Sequence, residues 1–176
     1  MYMFHWYGLF IGIAIVVGWS VAERIEPKVS KVAPWVIICG FLGARIYHVI
    51  DLWSYYSQNF GQVFAVWNGG LSIWGAIGGG AIGIVIYHYT IRPLDQLGNM
   101  LGAMITPLPL AQAIGRVGNG VNGEFTNLVL GIPWWGMEAL LDLALFGLVW
   151  RVEKKWRVGV YLVGYGLIRL VLQPYR

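Results

Sequence analysis

Apolar residues run along this chain in long stretches rather than in the one-sided or alternating patterns of a soluble fold. Residues 4–22, 69–91 and 97–115 contain no Asp, Glu, Lys or Arg; 33–50 contains only Arg45, 130–150 only Glu138 and Asp142, and 158–173 only Arg169. A bilayer core about 30 Å thick takes about 20 mostly apolar residues per spanning helix. Backbone amides in lipid must find their hydrogen bonds within their own segment. All six stretches are therefore expected to be helices, and the expected fold class is all-α: a polytopic integral membrane helical bundle with about six transmembrane helices. The first stretch has no basic region before it, so it is expected to be a retained span rather than a cleaved signal peptide.

Charge sets the expected orientation, because cytoplasmic loops hold Lys and Arg in excess. Arg24, Lys28 and Lys31 follow the first stretch, Arg92 the third, and Arg151, Lys154, Lys155 and Arg157 the fifth, whereas segments 51–68 and 116–129 hold only Arg116. Six spans would then leave both termini outside. Trp6, Trp19, Trp35, Trp53, Trp67, Trp134, Trp150 and Trp156 stand at segment ends, where an aromatic belt belongs.

Composition sharpens this reading. Hydrophobic residues make up 58% of the 176 positions and charged ones 11%, against roughly 45–50% and 25% in a soluble chain. The net charge of +4 does not indicate a nucleic-acid partner, because the basic residues are short clusters between apolar runs rather than one solvated face. Cys39 lies among apolar neighbours as an inert small side chain, and a single cysteine excludes a disulfide framework or a Cys-rich metal site. No metal and no cofactor is expected. Of the 25 glycines, Gly75, Gly79 and Gly83 recur every four residues, as do Gly8 and Gly12, a spacing that lets helix backbones approach closely in lipid. With no internal repeat and no linker, residues 1–176 are expected to form one domain.

Three arginines remain that the orientation rule does not explain: Arg45, Arg116 and Arg169. A charge at the bilayer centre costs at least roughly 2.5–3.5 kcal/mol and marks function by default. Glu138 and Asp142, four residues apart, share one helix face, and Glu138 or Asp142 is expected to hold Arg169 or Arg45 in place. Three arginines still exceed two carboxylates. The surplus calls for an anion, and a phospholipid phosphate is one that a guanidinium grips through two parallel hydrogen bonds. Buried charges also mark ion paths, but the paired repeats and broken helices of a transporter are absent.

The densest polar segment is Gly115-Arg116-Val117-Gly118-Asn119-Gly120-Val121-Asn122-Gly123-Glu124. It is expected to be a loop after the fourth helix, with glycines that let backbone approach a ligand and amides that supply directed donors and acceptors. A plain extracellular turn has the same composition. The segment is no phosphate-binding P-loop, since no Gly-Lys-Ser or Gly-Lys-Thr closes it.

This segment resembles the signature of the prolipoprotein diacylglyceryl transferases, integral membrane enzymes of bacteria. Four further resemblances follow the family's order. They are His5-Trp6-Tyr7-Gly8-Leu9 in the first helix, Gly43-Ala44-Arg45 in the second, Trp67-Asn68-Gly69-Gly70-Leu71-Ser72 at the entry to the third, and Gly164-Tyr165-Gly166 with Arg169 in the last. Departures are Trp74 where the family often has a histidine proposed as base, Ile132-Pro133 in place of His-Pro before Glu138, Asn127 for a glycine and Gln173 for an acid. The resemblance implies a short member of the family, lacking most of the external head region and the last helix.

The resemblance further implies a multi-pass protein of the bacterial plasma (inner) membrane. It would move a diacylglyceryl group from phosphatidylglycerol to the thiol of a lipobox cysteine in a preprolipoprotein signal peptide, among membrane lipids, and release glycerol phosphate. Arg116, Arg169, Asn119, Glu124 and Tyr7 would be catalytic; Arg45, Asn122, Gly123 and Tyr165 would bind substrate. The alternative is a non-catalytic relative that binds anionic phospholipid without transferring it.

Overall fold

The computed structural model describes residues 6–91 and 97–175. Helices occupy all six apolar stretches: α1 (Trp6–Ile25), α2 (Val29–Asp51) with the short α3 (Trp53–Tyr56) after it, α4 (Ile73–Ile86), α5 (Leu97–Ile105), α6 (Leu108–Val121), α7 (Trp134–Arg151) and α8 (Arg157–Leu172). The fold class is all-α and polytopic, as expected; a count of about six spans is not confirmed among the described residues. Four segments, Gly8–Ile25, Val29–Asp51, Leu97–Val121 and Lys154–Tyr175, are long and apolar enough to cross a bilayer. Of the other two stretches, α4 is 14 residues long before it passes into a π-helical turn. The 18 residues of α7 include Glu138, Asp142 and Arg151.

The chain forms two compact units. One holds α1 and α5 to α8. Here the expected 97–115 helix is interrupted: Pro107 lacks an N–H and its ring crowds the preceding turn, so α5 stops at Ile105 and α6 starts at Leu108. Buried Thr106 donates its hydroxyl to the Gly102 carbonyl at 2.6 Å and accepts from Arg157 Nη1 at 3.0 Å. Lys154 Nζ reaches the Ile25 carbonyl at 2.9 Å, supplying a donor to the otherwise open end of α1.

The second departure matters more for function. Residues 116–121, expected as loop, are the last turns of α6. A Cβ on Gly118 would lie 2.9 Å from Phe10 Cβ of α1, and one on Gly120 would lie 2.5 Å from the Trp135 ring of α7. Glycine costs roughly 1 kcal/mol in a helix interior, a penalty that close packing on two sides offsets. The helix ends at Asn122, after which Gly123, at φ +73°, takes the left-handed position that commonly terminates helices. A hairpin of β1 (Leu128–Val129) and β2 (Ile132–Pro133) then delivers the chain to α7. Its turn residues Leu130 and Gly131 have φ +52° and +80°.

The other unit holds α2, α3 and α4. Its α4 glycines form the expected seam: Gly75 meets Gly43, Gly79 meets the Cys39 carbonyl, and Gly83 meets the Trp35 carbonyl of α2, where a Cβ would come to 2.6 Å. Gly8 and Gly12, at the same spacing on α1, would meet nothing within 4 Å.

A Cβ on Gly79 would overlap the Cys39 carbonyl oxygen, whereas Gly78 next to it faces open space. Gly79→Ala is expected to destabilise by about 1–3 kcal/mol, the usual cost of overpacking, and Gly78→Ala to leave stability unchanged or raised. Thermal unfolding in detergent checks this. Equal midpoints for the two variants would contradict the seam.

Candidate functional site

One face of α7 organises the site. Trp134, Glu138 and Asp142 recur every four residues, and all three are fully buried. Helix α7 packs against both α6 and α8, so side chains from the two neighbours converge on this face. Glu138 binds an arginine from each: Oε2 lies 2.7 Å from Arg116 Nε of α6, and Oε1 lies 3.4 Å from Arg169 Nη1 of α8. The carboxylate has no exposure, while the arginines keep 20% and 25% of theirs. The guanidiniums therefore lead from the interior to the surface.

Each arginine has a second anchor on its own helix. Arg116 Nη1 donates to Asn119 Oδ1 at 3.1 Å, three residues along α6. Asn119 then donates through Nδ2 to Glu124 Oε2 at 2.8 Å, and Asn122 Nδ2 reaches Glu124 Oε1 at 3.3 Å. Arg169 Nη2 donates to Gln173 Oε1, four residues further along the chain at the C-terminal cap of α8. Trp134 lies beneath both cations, with its ring centroid 5.3 Å from Arg116 Cζ and 5.8 Å from Arg169 Cζ. Among the described residues, Arg116 Nη2 and Arg169 Nε meet no acceptor. Two guanidiniums sharing one carboxylate carry a net charge of +1, with donors to spare.

Asp142, one turn beyond Glu138, behaves differently. Among the described residues neither of its oxygens has a hydrogen-bond or ion-pair partner, whereas Glu138 Oε2, which also lacks a hydrogen bond, is ion-paired with Arg116; Gln112 Oε1 on α6 is likewise buried without a hydrogen bond. Tyr161 and Tyr165 of α8 stack beside this region with centroids 5.8 Å apart and planes 7° from parallel. Tyr165 lies within electrostatic reach of Glu138, Arg116, Arg169 and Asp142. The expectation that Glu138 or Asp142 holds Arg169 or Arg45 is met by Glu138 with Arg169; Asp142 pairs with no cation within 4 Å among the described residues.

Of the residues singled out from sequence, Arg116, Asn119, Asn122, Gly123, Glu124, Tyr165 and Arg169 come together in this unit. Arg45 belongs to the other. Its Nε donates to the Val63 carbonyl at 2.8 Å, Nη1 to the Gly69 and Gly70 carbonyls at 2.8 Å each, and Nη2 to the Gln62 carbonyl, with Tyr56 against the guanidinium face. Glu138 and Asp142 are not among its partners. The side chain of Tyr7 and all of His5 lie outside the described residues. Trp74, where the family resemblance has histidine, is 70% exposed. Trp134 reverses its expectation: a tryptophan at a segment end, read as part of the aromatic belt, is fully buried under the cations. The available signal was its spacing, four residues before Glu138 and eight before Asp142.

A family model described as prolipoprotein diacylglyceryl transferase matches residues 1–176. Among curated relatives named phosphatidylglycerol–prolipoprotein diacylglyceryl transferase, one from Lactococcus lactis subsp. cremoris is 38% identical over 208 residues, covering 98% of this chain and 78% of the relative. One from Clostridioides difficile is 35% identical over 165 residues, covering 90% and 64%. One from Thermosynechococcus vestitus is 31% identical over 183 residues, covering 96% and 66%. The chain thus spans 64–78% of the length of these relatives.

The two acids of α7 are expected to respond oppositely to neutralisation. Glu138→Gln leaves two cations without their shared counter-charge, and breaking a buried pair typically costs roughly 3–5 kcal/mol. Asp142→Asn removes a charge that no donor compensates, so stability is expected to hold or rise. Melting temperatures in one detergent check this; equal losses for both variants would contradict the assigned pairing.

Proposed function

Because the chain belongs to the prolipoprotein diacylglyceryl transferase family, we propose that it transfers a diacylglyceryl group from phosphatidylglycerol to the thiol of a lipobox cysteine. The observation that carries this reading is the arginine pair on Glu138. The anionic oxygens of a phosphodiester suit two guanidiniums that share a single carboxylate. The free N–H groups of Arg116 Nη2 and Arg169 Nε are of the kind that grip phosphate oxygens.

Those groups have a defined part in the chemistry. The thiolate sulfur attacks the glyceryl carbon next to the phosphate, an S–C bond forms, the C–O bond breaks, and its electron pair stays on the phosphate oxygen. Glycerol phosphate leaves with an added negative charge. Donors already aimed at that oxygen stabilise the transition state without having to reorganise. A thiol beside arginine also ionises more readily than a free one.

The remaining assignments follow from position. Asn119 keeps Arg116 linked to Glu124, and Gly123 with Asn122 turns the chain so that Glu124 faces that amide. Tyr165 stands beside the cluster; Tyr7, whose side chain lies outside the described residues, is assigned by the family resemblance alone. Arg45 serves the substrate by ordering the carbonyls of residues 62–70. Both substrates, phosphatidylglycerol and the preprolipoprotein signal peptide, reach the site from the membrane, and residues 1–176 act as one domain.

The test is incubation of purified protein with phosphatidylglycerol and a lipobox peptide, read by mass spectrometry. The native protein is expected to add diacylglyceryl to the cysteine. Arg116→Ala is expected to lose activity about 100- to 1000-fold, the usual effect of deleting one preorganised donor. Arg116→Lys keeps the charge but not the two-pronged geometry and should also fall substantially, with both variants folded. Near-native transfer by Arg116→Ala would contradict the phosphate grip. Lipid binding without any transfer by the native protein would favour the non-catalytic alternative.

A further inference from the structure

Glu138 fixes the arginines only at their edges. Arg116 is held through Nε by Glu138 and through Nη1 by Asn119, Arg169 through Nη1 by Glu138 and through Nη2 by Gln173, and contacts made at the edges alone still let a guanidinium plane tilt about them. The second constraint acts on the faces. Trp134 lies one helical turn before Glu138 on α7, so the same rigid element that carries the carboxylate also places an indole against both cations, at 5.3 and 5.8 Å. The indole is itself locked. It is fully buried, its Nε1 donates to the Leu172 carbonyl at 2.8 Å, and the Phe125 ring packs on it at a centroid distance of 5.1 Å. That carbonyl belongs to the last turn of α8, three residues beyond Arg169, so one indole contacts the arginine and ties down its helix.

Tryptophan is the aromatic side chain that attracts a cation most strongly, and the attraction grows when the pair is shielded from water. Both cations here are three-quarters or more buried. We infer that Trp134 is a positioning residue: its ring orients the guanidiniums of Arg116 and Arg169 from two different helices, so that their free N–H groups point to one anion. This rests on the phosphate-gripping reading above and extends it to a residue that touches neither substrate nor leaving group.

Trp134→Leu would empty a packed core site and could unfold the protein, so the decisive variants keep the shape. Mono-, di- and trifluorotryptophan introduced at position 134 alone retain the indole outline and the Nε1 donor while withdrawing negative charge from the ring face. Two quantities are read on the full chain: retention of phosphatidylglycerol by the purified protein, and transfer to a lipobox peptide. Retention is expected to weaken stepwise with each fluorine, by roughly three- to thirtyfold across the series. KM should rise with it, while the melting temperature stays constant. A merely structural tryptophan would give no dependence on fluorine count. A flat series in retention would overturn the inference. A graded series in a protein that transfers nothing would leave the inference standing and overturn the transfer reading instead.

Discussion

A carboxylate with no solvent exposure, wedged between two guanidiniums from different helices, sets the terms for the larger unit of this protein. Removing Glu138 from water is unfavourable by several kcal/mol unless strong partners replace the lost hydration. Arg116 and Arg169 are those partners, at 2.7 and 3.4 Å. The pairing works in both directions. The arginines neutralise the acid, and the acid allows two like charges to lie side by side within an apolar layer. Helices α6 and α8 are thereby tied to α7 at one depth, and two guanidiniums share the one carboxylate that pairs them.

The glycines make this possible on α6. Arg116 and Asn119 project from the last turns of a helix, and that helix can persist to Val121 because Gly118 and Gly120 admit Phe10 and Trp135 at close range. A larger residue at either place would push α6 away from α1 or α7, and the distance to Glu138 would grow with it. In the other unit an arginine serves differently. Arg45 donates to four backbone carbonyls, so its charge is absorbed by peptide dipoles, and it orders chain where regular secondary structure is short. Two arginine environments thus differ in what remains available: N–H groups of Arg116 and Arg169 that meet no acceptor among the described residues, and a filled acceptor set around Arg45.

Much of this was legible in the sequence, for a physical reason. Helices in lipid announce themselves by length and lack of charge, and all six stretches are helical. Their bounds and their number of spans are less visible. Pro107 splits one stretch, and α7 carries three charges, of which Glu138 is paired by neighbouring helices only in the folded state. The arginine surplus was countable before any geometry, as was the acid spacing on α7. The helical state of residues 116–121 was hidden because glycine propensity favours a loop there, and only contacts from distant positions such as Phe10 and Trp135 reverse it. Trp134 was hidden for a related reason. A tryptophan at a helix end fits an interfacial belt equally well, and burial under two cations depends on α6 and α8 arriving from elsewhere in the chain.

The central claim is that Arg116 and Arg169, held on Glu138, form one receptor for a phosphodiester. Its most direct test is competition between phosphatidylglycerol and neutral phosphatidylcholine for protein in mixed nanodiscs, with retained lipid identified by native mass spectrometry. The native protein should retain phosphatidylglycerol in preference, and the folded double variant Arg116→Gln with Arg169→Gln should retain both lipids alike. An undiminished preference for phosphatidylglycerol in that variant would contradict the account.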